Sequence, residues 1–379
     1  MCLTVDEAAH FGRWLFPDRM AKRAHDWTPG PNIEWRTAVA QYIGLDVSLK
    51  DTFISVCEDG RRIWRGKCPS DPKILAEMIY KRAPNVSRVV FETGPLSTWY
   101  YHELTAAGLP AICIDARQAK KGLDMAHNKT DANDADGLAH LAEAAFYKQV
   151  RVKSYDNMLV RTLVTARTQL LKMQLQLSNQ IRGLMKTFGL IVPKGLGRVF
   201  DGHVCDLAGS HPGLAPIILP LLAVWRELRV KVAGLSKQLV GTARQSKQCQ
   251  LLTSIPGVGA LTACSFIAAI EDPANFARSR SVGAWLGLTT RRYQSGEVDY
   301  DGHISRRGDV YVRGLLYEAA TVILTRAHAD SDLRQWGIKL REKVGFKRAA
   351  IAVARKLSVV MHAMLKSGEC FERRPVTTA

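Results

Sequence analysis

A chain of 379 residues with 47% hydrophobic side chains has room for two or three domains and the apolar material to fill their cores, which excludes a disordered tail protein. Its formal net charge of +18, spread along the whole length, favours an extended polyanion such as nucleic acid over a small acidic substrate. The 8 cysteines form no CxxC pair and lie mostly in apolar runs, so reduced core thiols are expected and a zinc site is not. The N-terminus lacks a basic-then-apolar leader, and no run nears the roughly 20 apolar residues of a bilayer span. A soluble, cytoplasmic protein without a membrane partner is expected.

Residues 1–38 read as an N-terminal extension, with Trp14, Trp27 and Trp35 among charges around the breaker Pro29-Gly30-Pro31. It suits a docking arm or a loosely packed cap. In the next stretch Ile43, Leu45 and Val47 alternate at the two-residue period of a strand, which turns Asp46 to the opposite face. Strands are expected over 42–47, 52–57 and 61–67, separated by polar turns such as Glu58-Asp59-Gly60. Asp71 and Pro72 then start a helix carrying Ile74, Leu75, Met78 and Ile79. The run Val89-Val90-Phe91 reads as a buried strand that ends at Glu92 and is broken by Thr93-Gly94-Pro95. A helix over 96–107, a strand over 111–114 and a helix opening near Asp131 complete a βββαβαβ order closed by a helix, within a domain at 39–150. Asp131 and Asp134, three apart at the start of that helix, share a face.

Past Tyr155, Leu159, Leu163, Ala166, Leu170, Met173, Leu177 and Leu184 follow a four-and-three spacing, which predicts a long helix with a coiled-coil seam. After a Gly- and Pro-rich loop at 189–216, Leu221, Trp225, Leu228, Val232, Leu235 and Leu239 repeat that spacing. The pair predicts an antiparallel coiled-coil hairpin at 151–248, either packed within its own protein or serving as a dimerisation seam. The last domain, 249–370, precedes a tail at 371–379 and is expected to be mostly helical. It opens with Pro256-Gly257-Val258-Gly259 between apolar helical runs, the pattern of a helix-hairpin-helix turn or of a plain helix connection. In the first case Gly257 and Gly259 let backbone N–H groups approach a phosphate without reading sequence. Arg278, Arg280, Arg291, Arg292, Arg306, Arg307 and Arg313 follow, and Ser295-Gly296 sits among them in an expected polar loop where a serine faces phosphates. The final helices, around 310–326 and 346–366, carry apolar stripes with Lys347, Arg348, Arg355 and Lys356 on other faces.

Clustered Asp and Glu without His or Cys favour hard Mg2+, with Mn2+ as the alternative ion. Asp46, Glu92, Asp131 and Asp134 are the candidate ligands, suited to two ions clamping an in-line phosphoryl displacement. Taken singly, each has a plainer reading, Asp134 as a helix cap and Glu92 as a surface residue. Asp115, Asp124 and Asp136 compete with them, and the two-residue offset of Asp136 from Asp134 puts it on another helix face. Acids on the first strand, the fourth strand and the last helix of such a frame resemble the RuvC or ribonuclease H-like nuclease fold, so the whole reads as α/β plus α.

The set GLDVSLK, FETG and NKTDANDA, the helical insertion, then SIPGVGALTA, FARSRSVGAWLGLTTRRYQSG and GHISRRGDVYVRGLL resembles the DEDD-type transposases of insertion-sequence family one-hundred-ten. The resemblance covers nearly the whole chain after residue 40. It implies Mg2+ bound by Asp46, Glu92, Asp131 and Asp134, and Ser295 of the YQSG motif as the nucleophile of a 5′-phosphoserine link to DNA. It also implies a noncoding bridge RNA pairing with donor and target DNA, and a homodimer or homotetramer with active sites shared between protomers. Arg291, Arg292, Arg306, Arg307 and Arg313 are the expected nucleic-acid contacts, and Ser305 is the rival nucleophile. The chain departs from the family in its N-terminal arm and in Asp136-Gly137, where a basic residue is common.

Two other readings use the same residues. A RuvC-like endonuclease or junction resolvase needs the four acids and no serine. A DEDD exonuclease is disfavoured, because Ser48 stands where a second acid belongs. A non-catalytic nucleic-acid-binding protein keeps the basic faces and leaves the carboxylates unclustered.

Overall fold

Alternation of apolar residues at period two, then at three and four, divides this chain as its contacts do, into Met1–Val152 and Lys153–Ala379. The computed structural model describes residues 39–124, 128–195, 197–326 and 331–371, so the expected extension at 1–38 and all but Phe371 of the expected tail lie outside the described residues.

The first unit runs β1 (Gln41–Val47), β2 (Asp51–Glu58), β3 (Arg61–Pro69), α1 (Pro72–Arg82), β4 (Val86–Glu92), α2 (Ser97–Ala106), β5 (Ala111–Ile114), α3 (Ala116–Leu123) and α4 (Asp131–Ala144). The expected βββαβαβ order is present. Its sheet has the order β3-β2-β1-β4-β5, antiparallel from β3 to β1 and parallel from β1 through β4 to β5. Asp71 caps α1 by accepting from Lys73 N at 2.8 Å, with Pro72 in the first turn, where a missing N–H costs nothing. One sheet face buries Ile43, Leu45, Val89 and Phe91 against Leu75 and Ile79 of α1 and Tyr100 and Leu104 of α2. The other buries Val90 and Ile114 against Ala119 of α3 and Leu138 and Ala142 of α4. This mixed α/β arrangement is consistent with a ribonuclease H-like domain. The sequence reading missed α3, an eight-residue helix whose single buried residue, Ala119, makes no apolar stripe.

The second unit begins with α5 (Tyr155–Thr187), α6 (Arg198–Gly209) and α7 (Ala215–Gln245). Val164 near the start of α5 shares a core with Leu239 and Ala243 near the end of α7, while Ile181 and Met185 meet Ile218, Leu222 and Trp225 at the opposite ends. The two long helices therefore run antiparallel. The seam agrees with expectation on α5 only in part: Leu163, Leu177 and Leu184 pack half-buried against the cores, but Leu159 is 68% exposed and Met173 42%, and Val164, Ile181 and Met185 are the buried residues. On α7 the expected Trp225, Val232 and Leu239 are buried. The loop expected at 189–216 contains α6, whose Phe200, Val204 and Ala208 recur every four residues and close the tip of the pair. Arg182 secures that tip, with its guanidinium 4.7 Å from the Phe200 ring and bonds to the carbonyls of Val192, Pro193 and Gly195.

The remainder comprises α8 (Lys247–Thr253), α9 (Ala260–Ile270), α10 (Arg280–Trp285), β6 (Thr290–Ser295), β7 (Val298–Ile304), α11 (Val310–Thr325), α12 (Asp332–Val344) and α13 (Phe346–Ser367). Helices α8, α9, α11 and α13 enclose one core with the bases of α5 and α7. The stretches 151–248 and 249–370, expected as separate domains, thus share a core within one unit.

Candidate active site and nucleic-acid-facing residues

Asp46 lies next to last in β1, and Glu92 ends β4. These parallel neighbours are last paired at Leu45 and Phe91, so the next step of the register sets Asp46 beside Glu92. Both alternate out of the face packed on α1 and α2, onto the face covered by α4. Asp131 and Asp134 occupy the first turn of α4, behind the N-cap Thr130, whose hydroxyl accepts from Asn133 N at 3.2 Å. The N-terminal end of the helix dipole favours negative charge there. Burial, then the charges of Asp131 and Asp134, push Asp46 up to about 6, with Lys129 opposing. Glu92 is also raised, by burial first and then by Asp46 and Asp134, and again Lys129 opposes.

Asp46 is therefore repelled by Asp131 and Asp134, and Glu92 by Asp46 and Asp134. Among the described residues no group of three or more His, Cys, Asp or Glu side chains is placed so that it could hold a metal ion. The donor set is all oxygen, the set that hard divalent cations take, and surplus negative charge at a half-buried point is what such a cation neutralises. The residues fit the ion in kind. Glu92 is shared by two cavities, one of about 220 Å³ that also takes in Asp46 and Ser48, and one of about 400 Å³ that takes in Asp134 with Arg117, Lys120 and Lys129. A cleft with carboxylates on one wall and cations on the other can hold a phosphodiester beside the acids.

The competing acids have other partners. Asp115 caps α3 by accepting from Arg117 N at 3.0 Å and Gln118 N at 3.2 Å. Asp136 is ion-paired with Arg62 and Arg65 of β3. Asp124 is the C-cap of α3 and lines the larger cavity.

In the second unit the stretch expected as a polar loop is a β-hairpin. Ser295 ends β6 and pairs with Val298 across Gly296-Glu297, and only the glycine has positive φ, +57°, as in a type II′ turn. Every residue of β6 is exposed, so apolar alternation could not announce it. Stacked Tyr293 and Tyr300, 5.6 Å apart, and the Arg292–Asp299 ion pair hold the strands together. Ser295 stands in the open at the tip. Ser305, at the base, donates its N–H to Thr289 O at 2.8 Å and accepts from Arg291 through its carbonyl at 3.0 Å.

Three of the five expected arginine contacts are engaged within the protein, Arg291 through its bond to the Ser305 carbonyl. Arg292 is paired with Asp299, and Arg313 turns inward to the carbonyls of Leu286 at 2.8 Å and Arg307 at 3.0 Å, its pKa lowered by burial. Arg291, Arg306 and Arg307 are exposed. Arg306 adopts a left-handed φ of +54°, and its loop sits so close to Gly287 that a β-carbon there would stand 2.1 Å from Arg307 O. Of the two turn glycines, Gly257 faces Ala319 and Ile323 of α11, while Gly259 is exposed and heads α9 without a side-chain cap.

Residues 249–335 match the profile of the IS116/IS110/IS902 transposase family, and residues 43–189 match a DEDD-type transposase profile. The transposase for insertion sequence element IS1111A of Coxiella burnetii (strain RSA 493 / Nine Mile phase I) is 31% identical over 312 residues, which is 79% of this chain and 85% of that relative. The chain belongs to the IS116/IS110/IS902 transposase family. A transposase for insertion sequence element IS1328 of Yersinia enterocolitica is 25% identical over 65% of the chain and 74% of its own length. A pilin gene-inverting protein of Moraxella bovis is 26% identical over 35% of the chain and 41% of its own length. As a member of this family the transposase is a DNA-recombining enzyme, and its DEDD-type half points to divalent-metal use. No helix among the described residues is long and apolar enough to cross a membrane.

The sequence reading missed several residues of this transposase's cleft. Lys129 lies inside the NKTDANDA motif and opposes the charge of both Asp46 and Glu92, and Arg117 and Lys120 come from the unforeseen α3. Gly44 was also missed. A β-carbon on it would stand 2.3 Å from Ala139 N, so its lack of a side chain lets α4 approach β1 and brings Asp134 towards Asp46. A glycine inside a strand was the available signal.

Proposed function

We propose that this transposase cuts and exchanges DNA strands for insertion-sequence transposition through a 5′-phosphoserine intermediate, with Mg2+ held by Asp46, Glu92, Asp131 and Asp134. The observation that supports the reading is the charge coupling of Asp46 with Glu92 and Asp134, residues near the ends of β1 and β4 and at the start of α4. Bound there, the ion would stabilise charge on the reacting phosphate. Lys129, Arg117 and Lys120 line the cleft and orient the phosphodiester against the acids. Ser295 Oγ forms the bond to phosphorus, the P–O3′ bond breaks, and the serine proton ends on the departing 3′ oxygen. Arg291, Arg306 and Arg307 hold the flanking phosphates. This requires Ser295 and the acids to meet in the DNA-bound assembly, a cytoplasmic homodimer or homotetramer, with a noncoding bridge RNA supplying sequence choice by base pairing. In the same reading α5 and α7 form a coiled-coil hairpin, and Gly257 and Gly259 belong to a helix-hairpin-helix turn.

A second reading, a RuvC-like nuclease or junction resolvase without a covalent intermediate, draws on the exposure of Ser295, which has no hydrogen-bonded base beside it among the described residues. Covalent trapping separates the two. Full-length protein, Mg2+, the RNA of the flanking element and labelled target DNA are run on a denaturing gel beside Ser295→Ala, Ser305→Ala and Asp46→Ala. A protein–DNA adduct absent from Ser295→Ala and Asp46→Ala supports the serine recombinase. Metal-dependent cleavage without an adduct, unchanged in Ser295→Ala, leaves the nuclease.

A further inference from the structure

A second cleft opens in the second unit, between the base of the β6–β7 hairpin and helices α12 and α13. Its volume is about 690 Å³, within the usual range for ligand pockets of about 300–1,000 Å³. Five cations line it, Arg280, Arg306, Arg348, Arg355 and Lys356, and among the described residues no carboxylate does. Its apolar floor includes Leu288 and Ile351. On one wall stands Trp336, 37% exposed, with the Lys356 ammonium 4.5 Å from its ring centroid.

These features together select the ligand. Along α13 the lining residues Arg348, Ala352, Arg355 and Val359 recur at four, three and four, so cations and apolar positions share one face of a helix. Arg348 and Arg355 are two turns apart, about 10 Å at 1.5 Å per residue, which gives room for more than one phosphate. A small anion would have no use for an indole and an aliphatic floor. A duplex presents phosphates but keeps its base faces stacked away. An unpaired nucleotide presents both, a flat apolar face and a charged backbone.

We infer that this cleft holds an unpaired nucleotide of a single strand, its base stacked on Trp336 and its flanking phosphates on Arg348, Arg355 and Lys356. The inference rests on this chain's acting on nucleic acid and deepens that reading, because strand exchange generates unpaired nucleotides. Lys356, now over the indole, moves to a phosphate when a base takes its place. Arg306 lies at the mouth, in the loop that follows the hairpin, so the strand that occupies the cleft runs on towards β6 and β7.

The test is fluorescence anisotropy with full-length protein and a short labelled single strand, as DNA and as RNA of one sequence, beside the same sequence as duplex. Trp336→Ala is expected to weaken single-strand binding about 5- to 150-fold, the range that loss of one base–aromatic stack produces, and to leave duplex binding unchanged. Trp336→Phe, which keeps a ring, is expected to retain most of the affinity. Arg355→Gln with Lys356→Gln, both exposed positions, is expected to weaken binding and flatten its salt dependence by about 0.7 log unit per log unit for each phosphate lost. Melting curves check the folding of each variant, and this double variant carries the test if Trp336→Ala does not fold. A larger loss for one sugar type identifies the strand as DNA or RNA. Equal losses for single strand and duplex, or no loss in Trp336→Ala and none in the double variant, would overturn the proposal. Because binding is read without catalysis, that failure leaves the serine and metal reading standing, and a missing adduct leaves this one standing.

Discussion

A β-carbon on Gly44 would stand 2.2 Å from the carbonyl oxygen of Ala135, closer than any non-bonded pair tolerates. Helix α4 carries Asp131 and Asp134 and touches the sheet at the strand that carries Asp46. Gly44→Ala must therefore push α4 off β1 or bend both. The clash is with backbone, which cannot rotate aside, so the cost is set at the upper end of overpacking, about 3 kcal/mol. Urea denaturation with an unshifted midpoint would contradict this close approach.

The acids predict an unusual pH dependence. Asp46 is raised from 3.8 to about 6, so its folded-state value lies above its unfolded one. Its contribution to stability is then fully present below pH 3.8 and lost as pH rises through about 6. Asp46→Asn removes the charge and is expected to stabilise the metal-free protein above that window by about 1 kcal/mol, after allowance for solvent screening. Thermal melts in a chelating buffer at both ends of the window measure it. Equal melting temperatures for wild type and variant at the upper end would contradict the mutual repulsion.

Mg2+ is expected to reverse that sign. Added to wild type above pH 6, it raises the melting temperature by a few degrees, because an ion bound only by the folded state stabilises it. Asp46→Asn and Asp134→Asn lose this response. A melting temperature indifferent to Mg2+ in wild type would argue against the metal site.

Asp134 and Asp136 are two residues apart and are expected to behave oppositely. Asp134→Asn abolishes strand cleavage while costing little stability, because it removes a repelled charge. Asp136 is different: burial works against its ionised form, but hydrogen bonds from Arg65 and Arg62 overcome this and bring its pKa below the usual value. Its stabilisation is present above pH 3.8 and lost as pH falls through the lower folded-state value. Asp136→Asn should cost about 1 kcal/mol and leave cleavage measurable. Cleavage assays paired with denaturation curves compare the two variants, and a catalytically dead but fully stable Asp136→Asn would exchange the roles assigned here.

The arginine loop after β7 gives a further comparison. Arg313 holds it by bonding the carbonyls of Leu286 and Arg307, so Arg313→Gln is expected to weaken DNA binding indirectly and to lower the melting temperature. Arg307→Gln, at an exposed position, should weaken binding with no change in melting and reduce the salt slope by about 1. Identical melting curves for the two variants would place Arg313 with the surface contacts.

Much of the first unit was legible because its signals are local. Ile43, Leu45 and Val47 alternate and Asp71-Pro72 opens a helix, each within a few residues of sequence. The register of α5 was less legible. An apolar stripe through Leu159 and Met173 satisfies the heptad rule, yet Val164 and Ile181 are the residues buried, because the partners of a long helix choose its inner face. The β6–β7 hairpin left no apolar pattern at all, since both faces of β6 are exposed.

The sequence by itself determined the βββαβαβ order of the first unit without α3, the residue types of the acidic set and the excess of cations, because period, capping chemistry and charge are properties of short segments. Only the tertiary structure decided that Asp46 and Glu92 lie near the ends of adjacent parallel strands, that Lys129, Arg117 and Lys120 line one cavity with Glu92 and Asp134, and that Arg292 and Arg313 are engaged internally. Those outcomes depend on which distant backbones approach one another. That approach is set by contacts such as Gly44 against Ala135, to which no local pattern refers.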